Sequence, residues 1–544
     1  MKLPSLFVLI QLICFTYPAN ATTYYINNLI GNDTNTGTTQ SNSFKTSSPL
    51  TNIKLHPGDA VLFASGQYFK GMLSLINVKG LYQHPIVIGS YTYKGNKIKP
   101  VLDAGENLNT ILIQNASFIK IRGLEITGTI PYKSRSILQK EQMRCGILVE
   151  VTQDDLFEDI QIKDVMVHDV YYNAPGFTRS AEETKSANGT QSYGWGIRFI
   201  NNSKSGKLVN AKVFNAEIFN VSHTGLKFTC RTDAIKNVEV ANCKIYKTGG
   251  PGMQLSGVAD GHIHNNTIDH SGSTADTRNW GRGSGLWTWG CKNIIIEKNR
   301  FENANGPGDS AGIHIDFNCS DVVVQYNFSA NNAGGFCEIL GNNYNCAYRY
   351  NISVNDGFRV KGMNGAFQEG KIFWLSGFQG NEKKKAGPYN SYFYNNTIYV
   401  SNKIIPKIAV SSSAAGVLIA NNILYFETAA QMVAGDQKKQ ETDLTTASNV
   451  VFSNNLFLSP QSWPVDFAIK DNSPIIGNPN FKNTGGLELK DYLPTNKKII
   501  FNKGIIIQPL PGDSIGLRRG LKVTHDIVGK KINGQPDVGA IELK

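Results

Sequence analysis

The sequence is poor in cysteine, and the few it has show no order. There are eight in 544 residues, none in a CxxC pair and none clustered with histidine. Setting Cys14 aside with the leader described below leaves Cys145, Cys230, Cys243, Cys291, Cys319, Cys337 and Cys346, an odd and scattered set. Neither a disulfide framework nor a zinc site is expected of them; small buried core residues are. After the leader, no apolar run approaches the roughly 18 residues that cross a bilayer, so no membrane span is expected. There is also no basic stripe interleaved with aromatics, and Lys383, Lys384 and Lys385 form the only dense cationic cluster, so nucleic acid is a poor partner. The formal charge is nevertheless +12, from 54 Lys and Arg against 42 Asp and Glu. A lysine-rich solubilising surface accounts for such an excess, and an anionic glycan is the partner class it would favour.

The chain opens MKLPSLFVLIQLICFTYPANATTYY. One early lysine, an apolar run over residues 6–15, and Ala19, Asn20 and Ala21 in a small-x-small pattern describe an export signal cleaved after Ala21. Residues 1–21 are therefore set apart, and a secreted or periplasmic protein is expected. Ile13 stands where a lipobox before Cys14 would need a small residue, which argues against a lipoprotein.

A chain of this length would ordinarily hold several domains, unless it repeats. It does repeat. KNVEVANCKI from Lys236, GHIHNNTI from Gly261, KNIIIEKNRF from Lys292, DVVVQYNF from Asp321, VLIANNIL from Val417 and NVVFSNNLF from Asn449 are each a period-two apolar strand followed by Asn. With Asn242, Asn266, Asn299, Asn327, Asn351, Asn396, Asn422 and Asn455 as markers, the shortest spacing fits one turn of three short strands. The longer spacings imply loops inserted at particular turns. Such a unit cannot bury its apolar side alone and must stack on its neighbours, giving a solenoid with one continuous core. The Asn residues suit stacked turns better than glycosylation. A second strand family precedes the first: GWGIRFI from Gly194, TGLKFT from Thr224, PGMQLS from Pro251, SGLWTW from Ser284, AGIHID from Ala311, GGFCEI from Gly334 and KIFWLS from Lys371.

These repeats resemble the right-handed parallel β-helix proteins of the pectin-lyase-like superfamily, which are polysaccharide-active. YYINNLIGNDTNTGT from Tyr24 and LHPGDAVLFASGQYF from Leu55 resemble the opening segment of secreted members, and DIVGKKINGQPDVGAIE from Asp526 their closing segment. The resemblance implies an all-β, single-stranded solenoid over residues 22–544. Its parts would be an N-terminal cap over 22–60, coils over about 60–480 and a closing segment over about 480–544. The fold hosts hydrolases, lyases, epimerases and adhesins, so the reaction must come from the site. The Asn-Thr-Asp, Gly-His-Gly and Arg-Ile-Lys motifs of polygalacturonase-like hydrolases are absent, and Asp154-Asp155 lies far from any candidate cluster. The Arg-x-Pro-x-x-Arg segment of classical pectate lyases is absent too.

Alternation within the second family turns every other side chain outward. With Ile197, Leu226, Met253, Leu286, Ile313 and Gly335 as the inward row, a first outward column reads Arg198, Lys227, Gln254, Trp287, His314 and Phe336. The next reads Ile200, Thr229, Ser256, Trp289, Asp316 and Glu338. Asp316 and Glu338 are thus expected as vertical neighbours about 4.8 Å apart. At that separation one proton is held tightly, leaving an acid beside a base, as glycoside hydrolysis requires. His314 would orient or shuttle, and Asp309 is the third acid. No cofactor is expected; calcium held by these carboxylates is the competing use of the same residues. Trp287, Trp289, Trp280 and Trp374 are the candidate sugar platforms, and Arg278 and Arg282 the candidate clamps for an acidic sugar. His223, His262, His264 and His270 read as structural. The expected function is a glycosidase acting as a monomer on a polysaccharide. Two alternatives stand beside it: a lyase using Lys227, Arg198 or His314 on a uronate glycan, and a solenoid that binds glycans without cleaving them.

Overall fold

The computed structural model describes residues 21–131, 143–186, 188–273, 281–433, 447–465 and 467–543. Strands of two to eight residues recur in threes, and each pairs in parallel with the equivalent strand one coil on. This builds two 14-stranded sheets and one 12-stranded sheet around a common axis. The chain is a parallel β-helix, as the repeats predict. Strand Thr23–Ile26 already pairs with Ala60–Ala64, so coiling begins close to residue 22. Among the described residues the one α-helix is Lys497–Ile500, and no helix is long and apolar enough to cross a membrane.

Period-two alternation does the folding. Ile197, Leu226, Met253, Leu286 and Ile313 stack in register through neighbouring strands, all fully buried. Each such side chain contributes about 1.5–3 kcal/mol when its neighbours cover it, which a lone coil could not supply. Phe199 stacks on Phe228 at 4.6 Å and Tyr348 on Phe393 at 5.4 Å, extending the same interior along the axis. All seven described cysteines are buried and free, as expected.

The asparagines form a ladder. From Asn266 through Asn299, Asn327, Asn351, Asn396 and Asn422 to Asn455, each side-chain Nδ2 donates to the Oδ1 of the next at 2.9–3.0 Å. Asn242 is not a member. It is exposed and sits at the preceding turn position (φ 56°), and Cys243 holds the ladder position, its N–H donating to Asn266 Oδ1. The turn needs a left-handed residue, which Asn tolerates, so a repeat marked by Asn can slip by one between the turn and the rung.

After strand Ile475–Ile476 the chain folds back along the outside. Ile500, Ile527, Val538 and Ile541 pack on Phe328, Ile352 and Tyr399 of one 14-stranded sheet. Leu510 and Leu517 pack on Tyr392, Tyr394 and Leu418 of the other. These coils therefore have two outer faces covered by the closing segment, while the 12-stranded sheet, which carries the candidate residues, is left to loops.

Candidate active site

The outward column of the 12-stranded sheet is Arg198, Lys227, Gln254, Trp287 and His314, as predicted. One coil later the register departs from expectation. Ile315 pairs with Ile339 and Ala311 with Gly335, so Glu338 stands beside His314 and not beside Asp316. Asp316 lies one column over, next to Trp289. Gly335, at φ 136°, takes up the extra residues where the strand begins. That shift of two preserves which residues face out from Cys337 onward but moves the column. It also places Phe336, expected outside, in the core against Tyr348 at 5.5 Å. Trp374 follows Glu338 in the column.

Asp309 belongs to the loop that leads into strand Ile313–Ile315. It and Ser310 are consecutive left-handed residues (φ 45° and 60°), a conformation that costs about 1–2 kcal/mol per residue and has to be held by its surroundings. Asp309 N–H donates to Gln368 Oε1 at 2.8 Å, Arg359 Nη1 donates to Asp309 O at 2.9 Å, and Gly334 N–H donates to Ser310 O at 2.8 Å. Arg359 and Gln368 come from the long insertion between coils, and no local pattern in the sequence marked them.

The carboxyl groups differ sharply in environment. Burial alone would raise Asp309, but Arg282 Nη2 donates to its Oδ1 at 2.8 Å, and this pairing, with His314 and Arg359 nearby, holds it below the usual carboxylate range. Among the described residues no cation is in contact with Asp316. Burial drives its pKa up to about 7, and the Asp309 charge adds to this against the Phe317 N–H, which donates to Oδ1 at 2.9 Å. Glu338 is pushed up to about 8, first by burial, with Lys371 opposing and the Asp309 and Asp316 charges adding. His314 is driven down to about 4 by burial, so its ring is neutral; Ser284 Oγ lies 3.4 Å from Nδ1.

Aromatic rings line the same face. Trp287 is buried with its ring 5.4 Å from His314, while Trp289 is 38% exposed and edge-on to Phe317. Trp374 lies under Lys371, whose Nζ is 3.7 Å from the ring centroid. At the far end Lys227 is buried and Arg198 sits 4.9 Å from the Trp195 ring; neither Trp195 nor Lys371 was singled out from sequence. Arg278 and Trp280 lie outside the described residues. His223 is buried and stacks on Trp195, the ring centroids 4.8 Å apart. His262 and His264 stand on another sheet with Glu239, in a group that could hold a metal ion.

Comparison with known proteins adds the fold and a direction. Residues 195–360 match the family described as "Right handed beta helix region". A lacto-N-biosidase of Bifidobacterium longum subsp. longum is 22% identical over 624 aligned positions. They cover 97% of this chain but 37% of the relative, so this chain spans little more than a third of that protein. The crystal structure of GH136 lacto-N-biosidase from Eubacterium ramulus superposes with a TM-score of 0.55 at 18% identity, over 79% of this chain and 68% of that one. Its selenomethionine derivative gives 0.52 at 17%, over 84% and 68%. The fold is a right-handed parallel β-helix.

Proposed function

We propose that the chain is an exported glycoside hydrolase acting on a polysaccharide, with Asp316 as the general acid and Asp309 as its ionised partner. The observation that carries this reading is the opposite displacement of the two acids, Asp309 held down by Arg282 and Asp316 pushed up to about 7 by burial. One group keeps a proton near neutral pH and the other keeps a charge, which is the division a glycosidase needs. Asp316 would deliver its proton to the glycosidic oxygen as the C–O bond breaks. Asp309 would face the cationic sugar that forms, as nucleophile or as base to a water, and water supplies the new hydroxyl.

Glu338, the partner expected from sequence, becomes a third acid that holds a proton beside neutral His314 and hydrogen-bonds a sugar hydroxyl. Trp289 offers an exposed ring to a sugar face. The relatives named above are lacto-N-biosidases, which supports glycoside hydrolysis as the reaction class. The leader-like residues 1–21 support export.

One observation favours a second reading. Burial and the Arg198 charge bring Lys227 down to about 7, a pKa suited to a base that removes a proton beside a uronate carboxylate. A panel of neutral and acidic polysaccharides, followed for new reducing ends and for the ultraviolet absorbance of an unsaturated product, separates the two. Reducing ends without absorbance are expected. Absorbance would replace hydrolysis with elimination, and no cleavage of any glycan would leave a binding protein.

A further inference from the structure

The groove has a second polar end. Arg198 and Lys227 are direct neighbours on adjacent strands, at the opposite end of the outward column from Glu338. Lys227 is 5% exposed, and among the described residues no acceptor or carboxylate reaches its amine; the charge that bears on it is the like charge of Arg198. Arg198 Nη1 rests 2.6 Å from Met143 Sδ, a poor acceptor, and its Nε has none. Glu150, the carboxylate whose charge bears on Arg198, is already engaged by Gln114 Nε2 at 2.8 Å and Asn202 Nδ2 at 3.1 Å.

The surroundings are incomplete in the same way. Trp195 Nε1, Thr229 Oγ1 and Gln254 Oε1 are shielded from solvent without a hydrogen-bond partner among the described residues. Buried polar atoms in folded proteins are nearly always satisfied by protein, water or ligand, and two like charges side by side in a dry place are costly. A sugar that carries an anionic group resolves both defects, its hydroxyls donating to Gln254 Oε1, an acceptor that the anion itself cannot satisfy. The anion offers acceptors to the Lys227 amine and to the planar fork of Arg198, and it cancels their repulsion. Trp195 supplies an apolar wall for the ring that carries it.

We propose that this end of the groove is a subsite for a negatively charged substituent, a carboxylate or a sulfate, on the glycan chain. Lys227, Gln254, Trp287 and His314 stand on successive strands, which places the subsite roughly 14 Å along the groove from His314. The charged sugar is therefore not the one whose bond is cleaved. That remoteness rests on the hydrolase reading; anion binding itself does not.

Isothermal titration of the full chain at fixed ionic strength, with glucose, glucuronate and glucose 6-sulfate as probes, tests the subsite without any turnover. At least one anionic sugar is expected to bind roughly tenfold or more tightly than glucose, and which one does so distinguishes carboxylate from sulfate. Lys227→Met should abolish that preference and Lys227→Arg should keep it, with circular dichroism unchanged in both. If Lys227→Met does not fold, Arg198→Gln must weaken the preference instead. Equal binding of all three sugars, or a preference that survives both Lys227→Met and Arg198→Gln, overturns the proposal. Anion binding in a protein that cleaves no glycan would defeat the hydrolase reading and leave the subsite standing.

Discussion

The asparagine ladder and the candidate groove are both polar, both largely buried, and opposite in how they are finished. In the ladder every rung closes. Asn327 Nδ2 donates to Ile296 O, Gln325 O and Asn351 Oδ1, and its Oδ1 accepts from the backbone and side chain of Asn299. In the groove, among the described residues, Trp195 Nε1, Gln254 Oε1, Thr229 Oγ1 and Trp374 Nε1 have no partner, and Lys227 has no counter-charge. Saturated polar networks fix a structure; unsaturated ones wait for a ligand. The same coils carry both, on different faces, so the difference follows from purpose and not from local sequence composition.

The largest effect should come from the open side. Asp316→Asn removes the proton donor but keeps shape, and turnover should fall by roughly a thousandfold while the thermal midpoint holds or rises, because the group it replaces is a carboxyl strained by burial. Asp309→Asn should also abolish turnover, yet lower the midpoint, because Arg282 then loses the carboxylate it meets at 2.8 Å. Near-normal hydrolysis in both variants would remove these two acids from the mechanism.

The closed side should respond the other way. Asn327→Ala strands Ile296 O and the Asn299 amides in the interior, and should cost about 3 kcal/mol in urea denaturation. The kcat of whatever remains folded should be unchanged. A ladder variant that kept its stability but lost activity would show that the two faces are not separate in function.

How much of this was legible follows the same division. Period-two alternation and the recurring Asn announced the coils, the outward parity and most of the ladder, because both signals are local and repeat. The column partner of Asp316 was not legible, since a glycine at φ 136° lets strand Gly335–Ile339 start two residues late without changing its apolar rhythm. Arg359 and Gln368 were invisible for another reason. They meet Asp309 across 50 and 59 residues of chain, and nothing in an insertion's own sequence says which loop it will brace. Arg282 was read as a clamp for sugar; it clamps Asp309, because the nearest carboxylate in space was not the nearest in sequence.

A smaller effect should appear in stability against pH. Asp316 and Glu338 bind protons more tightly folded than unfolded, with pKa values near 7 and 8 in the folded protein. The folded state therefore holds extra protons between the ordinary carboxyl range and about pH 8. Their stabilisation is complete below that range and is lost as pH rises through the folded values. Asp309, displaced downward, acts in the opposite sense, its contribution failing only in acid. The thermal midpoint should thus decline from pH 5 to pH 8, and Asp316→Asn with Glu338→Gln should flatten that decline. Asp356, raised to about 7 within the closed network, would leave a residual slope. An unchanged slope in the double variant would mean that the groove acids are already ionised, and with them the general acid would be lost.

The smallest effect tests the rim of the groove. Trp289 is the one described tryptophan of the outward columns that stands more than a third exposed, braced edge-on by Phe317, itself edge-on to Phe378 at 5.8 Å. A ring that offers a flat face to a sugar in ground state and transition state alike contributes uniform binding, which appears in KM and not in kcat. Trp289→Ala should therefore raise KM several-fold, roughly what about 1 kcal/mol of stacking supplies, and leave kcat near its original value. Since Asp316 stands beside Trp289 on the next strand, a fall in kcat instead would show that the indole shields the acid from water and helps keep its proton, and the alkaline limb of the pH profile would then move to lower pH in the variant.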